Sequence, residues 1–109
     1  MMARAPAILS CVLIAGLLTR ADAANQAVTH VIVIEGVKFT PEVLTMKRGD
    51  WVQWINKDPF PHTATAKGVF DSHSIASGGT WKYRVRSVGD IDYVCTFHPN
   101  MVAKLHIEQ

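Results

Sequence analysis

Cysteine is nearly absent from this chain. Its 109 residues hold two, Cys11 and Cys95, and Cys11 lies inside an apolar N-terminal run. One remaining cysteine cannot close an intramolecular disulfide. Small exported domains usually need such a staple, so another device has to supply the missing stability, and a bound metal is one that can. Long apolar runs are missing too. Ala7 to Leu18 is about a dozen residues, short of the roughly 18–20 that span a bilayer. No segment sustains a helical period, and there are no repeats, low-complexity tracts or linkers that would divide two domains. No basic run interleaved with aromatics occurs, which argues against nucleic acid as a partner.

The N-terminus reads as a secretory leader. Met1 to Ala5 carries one positive charge, Arg4; the apolar stretch follows, and Ala21-Asp22-Ala23 is an A-x-A cleavage site. The expected organisation is a signal peptide over 1–23 and a single domain over 24–109, with no membrane association after cleavage. Cys11 has further apolar residues behind it, which is not the position of a lipidated cysteine. The leader takes Arg4, Arg20 and Asp22 with it, so residues 24–109 keep nine basic and eight acidic side chains. The whole-chain pI of about 8.7 therefore overstates the charge of the working domain. A short, simple leader of this kind suggests a bacterial periplasm.

What remains reads as short strands between turn residues. Val28 to Ile34 is β-branched and apolar. Val43 to Lys47 is a second candidate, closed by Arg48-Gly49-Asp50. Trp51 to Asn56 places Val52 and Trp54 on one face. His62 to Ala66 is expected to be strand, and Gly68 to Gly79 a loop with an edge segment. Thr80 to Arg86 alternates, Ile91, Tyr93 and Cys95 share a face, and Val102 to Ile107 closes the chain with Leu105 and Ile107 inward. About seven short strands near ten-residue spacing predict an all-β fold, an antiparallel sandwich or barrel.

The chemistry concentrates in Cys95-Thr-Phe-His98-Pro-Asn-Met101. A thiolate, an imidazole and a thioether within seven residues, expected at a strand end and through a Pro-Asn turn, can face one centre. The fourth donor must come from elsewhere, and His62, beside Pro61 at the mouth of another strand, is the candidate. One thiolate and two imidazoles with a weak axial thioether form the blue-copper arrangement. Thiolate and thioether suit Cu(I), and imidazole tolerates Cu(II). Other readings stand beside this one. A lone buried cysteine is ordinarily a small hydrophobe, and Met101 could be core filler at the start of the last strand. His30, His73 and His106 lie outside the pattern, with His73 the rival to His62. Trp51, Trp54 and Trp81 read as packing residues.

The Cys95–Met101 segment resembles the copper loop of the cupredoxins, and its short C-x-x-H-x-x-M spacing is similar to the amicyanin group. Phe39-x-Pro41, then Lys47-x-Gly49-Asp50-x-Val52-x-Trp54-x-Asn56, then Pro61-His62 matches the lead-in of plastocyanin-like domains to their first histidine ligand. Tyr93-Val94-Cys95 is a third match. Together these cover most of residues 28–109. The resemblance implies a Greek-key β-sandwich, one copper ion cycling between Cu(II) and Cu(I), and the metal ligands His62, Cys95, His98 and Met101. It also implies single-electron transfer to redox partner proteins by a monomer, with His98 presenting its edge. Thr63 departs from the family, which usually has Asn there to tie the two ligand loops; a hydroxyl offers fewer donors. Phe97 stands where many relatives have Pro. The stretch from His62 to Cys95 is short, so an edge strand is expected to be trimmed.

The alternative function is copper storage, delivery or tolerance with the same ligands. An enzyme is not expected. A Cys–His hydrolase needs an exposed, activated thiolate, and Cys95 is on an inward strand face. A multicopper oxidase needs further histidine pairs, and no His-x-His occurs.

Overall fold

In the computed structural model the described residues are 26–109, together with 2–7, 10, 12 and 16. Cys11, the A-x-A site and the expected cleavage point after Ala23 lie outside them. Among the described residues no helix is long and apolar enough to cross a membrane.

Among the described residues nine strands form two sheets. The longer ones are β1 (Thr29–Ile34), β3 (Val43–Lys47), β4 (Trp51–Asn56), β7 (Thr80–Arg84), β8 (Gly89–Cys95) and β9 (His98–Glu108); β2 (Phe39–Thr40), β5 (Thr65–Ala66) and β6 (Phe70–Asp71) have two residues each. One sheet runs β2-β1-β4-β7 and the other β3-β9-β8-β5-β6. The chain leaves the first sheet after β2, contributes β3 to the second and returns as β4. That crossing makes β1 parallel to β4 and β3 parallel to β9, with all other pairings antiparallel. The expected purely antiparallel pattern is corrected on this point, and the count of about seven strands rises to nine through the two-residue pieces. Only Thr65–Ala66 of the expected 62–66 strand is regular; His62 itself makes an isolated bridge to Ile75. Between His62 and Cys95 the second sheet gains the two-residue strands β5 and β6, and β7 forms an edge of the first sheet.

Alternation sets which residues meet between the sheets. Ile32 and Ile34 of β1, Val52 and Trp54 of β4, Tyr93 and Cys95 of β8, and Leu105 and Ile107 of β9 all point inward and are buried. The core is aromatic at its centre. Trp54 stacks on Trp81 at 5.4 Å, and its ring meets Tyr93 edge-on at 5.5 Å. Phe39 closes on the other side of Tyr93 at 4.7 Å. Trp54 Nε1 and Tyr93 Oη are both buried without a well-formed hydrogen bond, and burial pushes the Tyr93 phenol far above its usual range.

At one end, Asp50 fastens the turn read from Arg48-Gly49-Asp50. Gly49 takes φ +97°, a conformation that costs glycine little. The Asp50 carboxylate accepts the Val28 and Lys47 amides at 3.0 and 3.1 Å and meets His30 Nε2 at 2.9 Å. His62, Cys95, His98 and Met101 lie toward the other end, where β4 and β8 finish and β9 begins.

Candidate metal centre

Cys95 comes last on β8, at an inward position of the alternation, and is fully buried. The ladder between β8 and β9 is regular as far as Val94 opposite Val102 and then shifts, so that Cys95 faces His98. A bulge of this kind re-aims side chains at the rim of a sheet. It places the turn at Thr96–Phe97 and starts β9 at His98, four residues before the expected Val102. His98 Nδ1 lies 3.7 Å from Cys95 Sγ.

His62 arrives from the other side. Its backbone bridge to Ile75 is reciprocal, with the Ile75 amide donating to the His62 carbonyl at 2.7 Å and the His62 amide returning to Ile75 at 3.2 Å. The buried ring sits with Nε2 2.7 Å from Asp58 Oδ2. A carboxylate can only accept here, so Nε2 carries a proton, and in the neutral ring Nδ1 keeps its lone pair. That Nδ1 faces Cys95 Sγ at 3.6 Å. The donor atoms of His62, Cys95 and His98 all lie within 4.8 Å of one another. Metal–nitrogen and metal–sulfur bonds of about 2.0–2.3 Å meeting at a trigonal angle would separate N from S by about 3.7 Å. Both observed N···S distances match that span, and a soft thiolate with two imidazoles suits copper. The donor set therefore fits the group. Met101 lies on the inward face of β9 with Ala103, Leu105 and Ile107 and is buried.

Three polar devices hold these residues. The Thr63 amide donates to Cys95 Sγ at 3.3 Å, so the backbone N–H of Thr63, not its hydroxyl, reaches the sulfur. That hydroxyl instead accepts the Thr96 amide at 2.9 Å and ties the His62 loop to the Cys95 loop, the tie expected of Asn in relatives. Buried Asn56 is the second device. Its Nδ2 donates to the Phe60 and Ile75 carbonyls at 2.9 and 3.0 Å, and its Oδ1 accepts the Asp58 amide at 3.0 Å. The third is Asp58, which besides His62 accepts the Gly36 and Val37 amides at 2.7 and 2.9 Å. Burial opposes its charge, and the Val37 amide, His62 and the Gly36 amide outweigh burial and hold the carboxyl below its usual range. The sequence reading missed Asp58. Its position four residues before His62 was the available signal; the turn at Gly36-Val37 that it also holds is more than twenty residues away.

The remaining histidines are elsewhere. His30 pairs with Asp50, His73 is exposed beside Asp71, and His106 pairs with Asp90 on the outer face of the β8–β9 hairpin. His73 therefore does not compete with His62. Around His98 the surface is apolar: Phe60 and Phe97 are 40% and 52% exposed, and the Phe60 ring lies 5.2 Å from that of His62 and 5.8 Å from that of His98.

No family model matches the chain. Among curated proteins it is 36% identical over 95 residues to amicyanin of Paracoccus versutus, covering 81% of this chain and 70% of that one. It is 32% identical over 102 residues to amicyanin-alpha of Methylorubrum extorquens, covering 88% and 85%. Plastocyanin of the Chlamydomonas reinhardtii chloroplast is 29% identical over 86 residues, covering 66% of this chain and 59% of the relative. Among solved structures, a reduced proline-to-phenylalanine mutant of amicyanin superposes with TM-score 0.67 at 31% identity, over 81% of this chain and 88% of that one. The Cu(I) form of a methionine-to-glutamine mutant of amicyanin gives 0.69 at 28% identity, over 73% and 82%.

Proposed function

This chain belongs to the cupredoxins, as a relative of amicyanin and plastocyanin, and we propose that it is a type 1 blue-copper electron carrier whose copper is held by His62, Cys95, His98 and Met101. The observation that carries the reading is the convergence of one donor atom each from His62, Cys95 and His98 within 4.8 Å at one end of the sandwich, with the two Nδ1 atoms 3.6 and 3.7 Å from Cys95 Sγ. Copper, when bound, supplies a one-electron Cu(II)/Cu(I) couple at these donors.

The chain's own residues do the rest. Asp58 fixes the His62 tautomer and ring plane, and the Thr63 amide holds the sulfur. The Thr63–Thr96 bond keeps the two loops in one arrangement whichever charge the centre bears. A donor set locked this way has little rearrangement to make when an electron arrives, because its hydrogen bonds are already made. Phe60 and Phe97 limit water around His98, whose half-buried ring is the route by which an electron reaches a partner protein docked at this end. The chain is not an enzyme: the convergent groups serve a metal, and Cys95 is enclosed.

The reading extends to cellular setting. The N-terminal run and A-x-A site support export with removal of 1–23, and the periplasm as the working compartment. The carrier acts as a monomer, which favours fast release of redox partners. The rival role in copper storage or delivery is separated by two rates on the copper-loaded protein. A carrier exchanges electrons between its own oxidised and reduced forms rapidly and gives up its metal slowly to a chelator; fast metal loss with slow self-exchange would assign it to copper handling.

A further inference from the structure

The end of the sandwich away from the metal centre carries positive charge that nothing in the domain matches. Lys82 and Arg84 are exposed on edge strand β7 and reach over the half-buried Trp51 ring of β4, with Lys82 Nζ 4.8 Å and Arg84 Cζ 5.8 Å from its centroid. Arg48 and Arg86 are exposed on the two neighbouring turns, which the Gly49 amide joins by donating to the Val85 carbonyl at 2.9 Å. None of these four cations makes an ion pair among the described residues. The carboxylates of this end are engaged elsewhere: Asp50 with His30, Asp90 with His106 and Lys104, and Glu108 with His106.

Apolar side chains lie among the cations. Val28 and Val31 are exposed on the β1 side of Trp51, and Val88 is exposed on the turn that follows Arg86. Tryptophan at headgroup level, lysine and arginine reaching phosphates, and small apolar side chains at the acyl boundary are the chemistry of a bilayer interface. The course of the chain favours lipid over an acidic protein. The chain enters the domain at this same end, where the Trp51 amide donates to the Val28 carbonyl at 2.8 Å and Thr29 pairs with Trp51. Leu18, which closes the apolar run, precedes Val28 by ten residues, a reach of at most about 35 Å. A leader seated in a bilayer therefore brings the Trp51 end beside the headgroups and leaves His98 at the far end.

We propose that the surface formed by Trp51, Lys82, Arg84, Arg48 and Arg86 docks on anionic lipid headgroups and holds the released domain on a bilayer by reversible contact, with His98 directed away from it. This departs from the expectation of no membrane association after cleavage. Residues 24–109 hold nine basic and eight acidic side chains, so attraction to an anionic surface has to come from this local excess and not from net charge. The docking surface itself uses no metal. That its orientation presents His98 to redox partners rests on the copper reading.

The nine strands and the buried core lie within residues 29–108, so the test uses residues 24–109, where the apolar run cannot contribute to binding. Co-sedimentation is measured with vesicles of phosphatidylcholine alone and of phosphatidylcholine mixed with phosphatidylglycerol. Binding is expected to the mixed vesicles only, and to weaken as salt shortens the screening length from about 30 Å at 0.01 M to about 8 Å at 0.15 M. Lys82→Gln combined with Arg84→Gln should lower the partition coefficient about 25-fold, about fivefold for each cation. Lys38→Gln combined with Lys57→Gln removes the same charge near the other end and should change it less than about twofold. Arg84 Nε also donates to the Gly49 carbonyl at 2.9 Å; Arg84→Lys keeps the charge and should keep the binding, which separates charge from a loosened turn. If the first double variant does not fold, Arg48→Gln with Arg86→Gln takes its place. No binding to the mixed vesicles at low salt, equal binding to both kinds, or equal losses in the two double variants would overturn the proposal, and the first result would leave this end to an acidic protein. A wild type that takes up copper without an intense blue colour would sink the copper reading alone, and the vesicle experiment would still decide the docking surface.

Discussion

Replacing Asp58 by Ala removes the acceptor of three hydrogen bonds at once, from Gly36 N, Val37 N and His62 Nε2. The three losses differ in size. Gly36 and Val37 are exposed, so water can replace the carboxylate at their amides. Their turn is nevertheless strained, with φ 63° at Gly36 and φ 59° at Val37, and a left-handed conformation costs a side-chain-bearing residue about 1–2 kcal/mol. His62 is fully buried, and its Nε2 proton would have no partner, a penalty of about 1–3 kcal/mol. Losing two charge-assisted bonds in the strained turn adds a similar amount, so the total is about 2–6 kcal/mol. For a domain of this size each kcal/mol moves the midpoint by roughly 4–8 °C. The metal-free Asp58→Ala protein should therefore melt roughly 8–48 °C lower by circular dichroism. Released from its orienting partner, His62 should also weaken copper retention against a chelator by about 10–100-fold. Asp58→Asn keeps one carbonyl oxygen and should fall between the two, which preserves the test if the alanine protein is unfolded at room temperature. A midpoint drop below about 4 °C with unchanged copper retention would refute the reasoning, since one buried orphan donor alone exceeds it.

Other expectations follow from the same contacts. Val37→Gly relieves the positive φ at a partly exposed position and should raise stability by about 0.5–1 kcal/mol in urea unfolding; a loss would mean the valine side chain packs more than it strains. Asn56→Ala deletes three bonds at a fully buried site and should cost about 2–4 kcal/mol; a cost within error would show that water replaces them. For Asp50, burial works against the charge, and His30 with the Val28 and Lys47 amides more than offset it, so the folded value lies below the usual 3.8. A depressed carboxylate stabilises the fold above its unfolded value and loses that contribution as pH falls through the folded one. The stability gap between wild type and Asp50→Asn should therefore narrow as pH falls from about 5 to about 2; a gap that is constant with pH would contradict the assignment.

The sequence carried the longer strands and the donor residues because each has a local signature. Val52 and Trp54, or Tyr93 and Cys95, announce an inward face by period-two alternation, and Cys95, His98 and Met101 lie within one short segment. The parallel pairing of β1 with β4 has no such mark. It follows from β3 crossing to the other sheet, a matter of which strands pack together and not of any one stretch. The start of β9 was misplaced because Pro99-Asn100 resembles a turn, whereas the register shift after Val94 puts the turn at Thr96–Phe97. Asp58 escaped notice, and Asn56 was legible only as part of the lead-in pattern, for a related reason. Each looks like a polar residue near a loop, and its function exists only once the Gly36-Val37 turn or the Ile75 carbonyl has folded against it. Thr63 was legible as a departure from its relatives, yet the division of labour between its amide on the sulfur and its hydroxyl on Thr96 required coordinates.

The most direct measurement is the visible spectrum of purified residues 24–109 after addition of Cu(II), recorded beside Cys95→Ser. An intense blue band in the first and none in the second is the expected result, since only a Cys95 thiolate bound to Cu(II) supplies that charge-transfer transition. A colourless or pale copper-loaded protein that is demonstrably folded would contradict the account.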